Sequence, residues 1–133
     1  MANAGSLVIE LLLKVLKGTP LKAAILEEIE KQQNALVGHP FIKWLDDPDD
    51  WVIGPRFSTT CYVEDSVPAV VYLALKYHND PEHALIVNTN LGGDNAARGS
   101  VIGALLSAEH GVEKFPRRWV DGLLDPLPQL MPK

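Results

Sequence analysis

Apolar positions in this chain recur at three- and four-residue steps, the spacing of a helix face. Leu7, Leu11, Leu12, Val15 and Leu16 follow it near the start, and Gly18 is placed to end that segment. Thr19 and Pro20 form a cap and first-turn pair. They open a second amphipathic run that puts Leu21, Ile25, Ile29 and Ala35 inside and its charges outside, closed by Gly38 and Pro40. Between Phe41 and Cys61 the pattern breaks. Pro48, Gly54, Pro55 and the aspartates 46, 47, 49 and 50 predict a short helical turn and then a long loop, with the acidic cluster solvated.

Helical spacing returns in EDSVPAVVYLALKYH, with Asp65 or Ser66 as cap, Pro68 in the first turn, and Val67, Val71, Ala74 and Leu75 on one face. The β-branched AVVYLAL allows a strand, but the helical pattern outruns strand length. Asp80-Pro81 repeats the cap-plus-proline device, Asp94 is placed to cap a helix that Gly111 ends, and Pro116 opens a short last one. The expectation is an all-α helical bundle, a single domain over residues 1–133.

With 133 residues, 47% of them hydrophobic, the chain can bury a real core. A net charge of −5 argues against a nucleic-acid partner. The apolar run Leu7 to Leu13 contains Glu10 and is too short to span a bilayer, so no membrane span is expected. A lone Cys61 excludes an internal disulfide and fits a cytoplasmic location. The four histidines lack zinc-binding spacing, Cys61 has no partner base in view, and the aspartate cluster lacks the alternating ligands of a calcium loop.

One stretch carries more chemistry, NTNLGGDNAARGSVIGALLSAEHG. Ala96, Gly99, Ser100, Gly103 and Ser107 fall on one helical stripe, flanked by Val101, Ile102, Leu105 and Leu106. That composition predicts a central, buried helix whose bare stripe lets a neighbouring backbone approach. Gly92-Gly93-Asp94 at its start has three readings: a capping turn, an anion cradle at a helix N-terminus, or half of a metal site.

The same stretch resembles the C-terminal signature of the ADP-ribosylglycohydrolase family, which includes dinitrogenase-reductase-activating glycohydrolase and the J1 crystallins. Asn90, Leu91, Gly92, Gly93, Asp94, Gly103, Ala104, Leu105, Leu106, Ala108 and Gly111 stand in register with it, and upstream YVEDSVPAVVYLAL resembles a second family segment. The resemblance covers about Val52 to Gly111. It implies the C-terminal half of an all-α fold that cleaves a glycosidic bond to ADP-ribose with two divalent metals, usually magnesium or manganese. It makes Asp94 a metal ligand, places Tyr62, Asn90, Gly92, Gly93 and Arg98 at the substrate, and leaves the catalytic residues unidentified. The chain also departs from the signature: Asn95, Ala96 and Ala97 replace its threonine, aspartate and threonine, and Arg98 stands in reach of Asp94 for a helical salt bridge. The acidic cluster of the family's N-terminal half is not found in these residues, so the chain is expected to be either the C-terminal half of a longer protein or a reduced relative. The expectation is therefore an ADP-ribose-binding relative whose hydrolysis depends on that missing half, or a reduced, non-catalytic module. Apolar helix faces left uncovered would then seek a partner, such as a second copy through the Leu7–Leu16 and Leu21–Ala35 segments.

Overall fold

The computed structural model describes residues 4–125. They form α1 (Ala4–Leu16), α2 (Leu21–Lys31), α3 (Phe41–Trp44), α4 (Asp49–Val52), α5 (Val63–Lys76), α6 (Pro81–Leu91), α7 (Asn95–His110) and α8 (Arg117–Asp121), with 3-10 turns at Ala35–Val37 and Val112–Lys114. The all-α expectation holds: no strand is present among the described residues beyond one isolated bridge, Ile53 to Phe57. No helix among them is long and apolar enough to cross a membrane.

The most deeply buried helix is α5 rather than α7, although α7 packs against all four of the other long helices, α1, α2, α5 and α6. Every side chain from Pro68 to Leu75 is buried, so α5 has no solvent face over that stretch and its apolar residues run together. That run invited the strand reading. Helix α2 also packs against α1 and α5. Yet α7 buries only Arg98, Ile102, Leu105 and Leu106, while Ala96, Ala97, Ser100 and Ala104 are exposed. Its small-residue stripe does not admit a neighbouring helix backbone. A Cβ on Gly103 would meet nothing within 4 Å, and one on Gly99 would press on the Asn88 amide nitrogen at 3.1 Å.

Several local readings are also corrected. Helix α5 begins at Val63, because the backbone N–H groups of Asp65 and Ser66 both donate to the Tyr62 carbonyl. Neither residue caps it, and the Asp65 carboxylate instead accepts from the Ser58 N–H at 3.0 Å. Pro68 thus falls past the first turn, where it lacks the N–H that would bond the carbonyl of residue 64. Helix α2 stops at Lys31, with Gln32 in the left-handed region at φ 53°, so Ala35 is exposed and Val37 is the buried residue there. Asp80 does cap α6, accepting from the His83 N–H at 3.1 Å.

Two charged groups expected in solvent lie inside. Glu28 is 5% exposed and pairs with Lys14 at 2.7 Å and Lys31 at 3.0 Å, tying α2 to α1. Burial pushes its carboxyl up, but the two lysines outweigh burial and hold it below the usual range. Asp49 of the acidic cluster accepts from Tyr72 at 2.8 Å and Lys76 at 2.9 Å, and from the Tyr77 hydroxyl. These bonds fasten the 41–57 segment to α5. That segment is anchored rather than loose: Phe41, Val52, Ile53 and Phe57 are buried in the core, while Ile42 and Trp51 stay exposed.

Candidate functional site

The glycine turn between α6 and α7 is made by backbone shape. Gly92 has φ 73° and ψ −156°, and Gly93 has φ 62°; side-chain-bearing residues rarely adopt either. Space separates the two glycines. Around Gly92 a Cβ would find nothing within 4 Å, whereas at Gly93 it would lie 2.2 Å from the Thr59 carbonyl oxygen. The loop before α5 is therefore seated directly on the turn. Asp94 N–H donates to that same Thr59 oxygen at 2.8 Å.

Asp94 occupies the N-cap position of α7, yet its side chain makes no capping hydrogen bond there. Order comes instead from Arg98, one turn into α7 and only 1% exposed. Its Nε donates to the Asn88 side-chain oxygen at 2.9 Å, and Nη2 donates to the Gly92 carbonyl at 2.5 Å and the Asn88 carbonyl at 3.4 Å. Nη1 reaches the Thr59 carbonyl at 3.4 Å. Asn88 is itself 1% exposed and donates its amide to the Asn95 carbonyl at 2.8 Å. One guanidinium thus joins the loop before α5, the end of α6 and the glycine turn. Burial pulls its pKa down, and the charge of Asp94 opposes that.

This arrangement corrects one assignment. Arg98 turns inward to carbonyls and does not form the salt bridge with the Asp94 carboxylate that their spacing allowed. Of the other expected site residues, only Gly92 bonds to the guanidinium, through its carbonyl. Tyr62 is 67% exposed, three residues beyond Thr59 on the loop that meets Gly93. Asn90 is exposed at the end of α6 and lines an open groove of about 520 Å³ with Asn95, Ala96, Gly99 and Trp119. Gly93 is exposed, while Gly92 and Asp94 are half-buried.

Asn88 and Thr59 went unnoticed in the sequence. Asn88 left a faint signal: it is a polar residue one helical turn after the small, buried Ala84, on the inner face of α6. Thr59 left none, because it acts through its backbone oxygen.

The donor set at the turn does not fit a resident divalent ion. Magnesium asks for near-octahedral oxygen ligands close to 2.0–2.1 Å. Ala96 and Ala97 offer no side-chain oxygen, and the carbonyls of Gly92, Asn88 and Thr59 already accept from Arg98. Among the described residues no group of three His, Cys, Asp or Glu side chains is placed to hold a metal.

A family model described as ADP-ribosylglycohydrolase matches residues 2–132. The match extends well beyond the Val52–Gly111 region that carried the resemblance, taking in α1, α2 and α8. The family acts on ADP-ribosylated substrates and is generally dependent on divalent metal. No curated protein and no solved structure matches the chain.

Proposed function

The chain belongs to the ADP-ribosylglycohydrolase family, and on that premise we propose that it recognises ADP-ribosyl groups where the Tyr62 loop meets the Gly92–Asp94 turn. The observation that carries this reading is the seating of Thr59 on Gly93. It brings two segments of family character, more than thirty residues apart in sequence, within hydrogen-bond distance of each other. Each group there has a matching task. Tyr62 offers an exposed ring for a nucleobase or ribose face. Gly92, with open space where a Cβ would stand, lets a ligand approach the backbone at the positive end of a sixteen-residue helix, a favourable place for phosphate. The Asp94 carboxylate can accept from ribose hydroxyls, and the Asn90 amide can both donate and accept.

Hydrolysis asks for more than this turn supplies. A glycosidic bond needs a general acid and an activated water. Asp94 is one carboxylate, and its neighbours do not fit a metal ion. The proposed activity of the described residues is therefore binding. Calorimetric titration with ADP-ribose tests it. Saturable heat for the wild type, weakened in Tyr62→Ala and in Asp94→Ala, is expected; no heat at millimolar ligand would reject the proposal.

One observation favours a second reading, that of a non-catalytic assembly module. Ile9, Leu13 and Leu16 are 57%, 50% and 67% exposed on successive turns of α1, forming an apolar stripe opposite its buried face. In that reading the stripe is covered by a second copy. Sedimentation equilibrium then finds a dimer that Leu13→Gln with Leu16→Gln dissociates, whereas a monomer at high concentration excludes it.

A further inference from the structure

We propose that Arg98 is the resident cation of the glycine turn, so that the turn closes on the Thr59 loop with no divalent ion. Three carbonyl oxygens and one amide oxygen, from three separate segments, point at a single buried position. Partial negative charges brought so close repel one another unless a cation sits among them. In a family generally dependent on divalent metal, this chain supplies that positive charge covalently. Arginine suits the task because its planar fork spreads five N–H donors at fixed angles, and the oxygens here lie at the corners of such a fork.

The two alanines before Arg98 fit the same arrangement. Oxygen-bearing side chains at Ala96 and Ala97 would serve a metal, and both positions are exposed instead of turned toward the guanidinium. An ion entering beside Arg98 would meet a like charge and carbonyls already committed to hydrogen bonds. Asn88 completes the cage. Its oxygen accepts from Arg98, its nitrogen donates to the Asn95 carbonyl, and Gly99 leaves room for that amide. This role of Arg98 follows from the turn's own geometry and stands whether or not ADP-ribose binds there.

Thermal unfolding of the full chain, first stripped with chelator and then titrated with magnesium or manganese chloride alone, tests the proposal. The expected midpoint moves by less than about 1 °C in either salt. A resident ion at roughly ten times its dissociation constant would raise it by about 5 °C, and such a rise overturns the proposal. Hydrogen exchange at the Asp94 amide gives an independent reading. Arg98→Lys, which keeps the charge but not the fork, should speed that exchange at least about tenfold with or without metal. Wild-type protection in Arg98→Lys, or protection restored by magnesium, counts against Arg98. Should Arg98→Lys fail to fold, the metal titration of the wild-type chain still decides the matter.

Discussion

Replacing Gly93 by alanine should destabilise the protein far more than replacing Gly92, although the two are neighbours with similar φ. At Gly92 the cost is backbone strain alone, on the order of 1–3 kcal/mol, because a Cβ there meets nothing. At Gly93 the left-handed backbone costs alanine roughly 1–2 kcal/mol. The new Cβ also lies 2.2 Å from the Thr59 oxygen, 2.4 Å from its Cβ and 2.7 Å from its Oγ1. The loop must retreat by about an ångström to restore ordinary contact. That retreat breaks the bonds Thr59 accepts from Asp94 N–H and from Arg98. A neutral bond is worth about 1 kcal/mol net and one to a charged group about 1.5–3 kcal/mol. Gly93→Ala should therefore cost about 4–6 kcal/mol, a large part of the 5–15 kcal/mol typical of a domain. Urea unfolding of both variants in one buffer measures the difference. If the two agree within about 0.5 kcal/mol, the close seating of the Thr59 loop is wrong.

Other consequences can be measured in the same way. Gly103 has open space and unexceptional helical backbone, so Gly103→Ala should stabilise the protein by roughly 0.5–1 kcal/mol in urea unfolding; a loss would restore the close approach that the small-residue stripe suggested. Asp49→Asn should cost about 2–4 kcal/mol near neutral pH. Burial pushes the Asp49 carboxyl up, but the bonds from Lys76, Tyr77 and Tyr72 outweigh it and leave the pKa below normal. Its stabilisation is thus complete above the unfolded-state value of about 3.9 and is lost as pH falls through the folded value, so the wild-type advantage should shrink in acid. Burial and the Asp49 charge push the hydroxyls of Tyr72 and Tyr77 well above their ordinary value. Their stabilisation is complete below about pH 10 and is lost as pH rises through the folded values, so ultraviolet titration should show both ionising only with alkaline unfolding.

The helices were legible wherever one face was apolar and the ends carried punctuation. Gly18 and Asp80-Pro81 worked because they act locally, within one turn of their own position. What stayed hidden depended on partners distant in sequence. Glu28 reads as a surface charge until Lys14, on another helix, is set beside it, and Asp49 reads as solvated until α5 brings Tyr72, Lys76 and Tyr77 to it. Composition misled at α7, where small residues suggested tight packing. On this helix Ala96 and Ser100 are exposed, Gly103 has open space and Gly99 only makes room for the Asn88 amide. Its burial is carried by Arg98, Ile102, Leu105 and Leu106. For the candidate site, the glycines and Asp94 could be found by pattern, while the role of Arg98 could not. Sequence spacing pairs it with Asp94 four residues earlier, but the fold offers it a cluster of carbonyls instead.

The most direct test is to follow backbone amide resonances of the isotope-labelled protein as ADP-ribose is added without metal. Saturable shifts confined to the Thr59–Val63 loop, Asn90 to Asn95 and the first turn of α7 are predicted. Resonances that stay still at millimolar ADP-ribose, or move only along the Ile9–Leu16 face of α1, would contradict an ADP-ribosyl site at this turn.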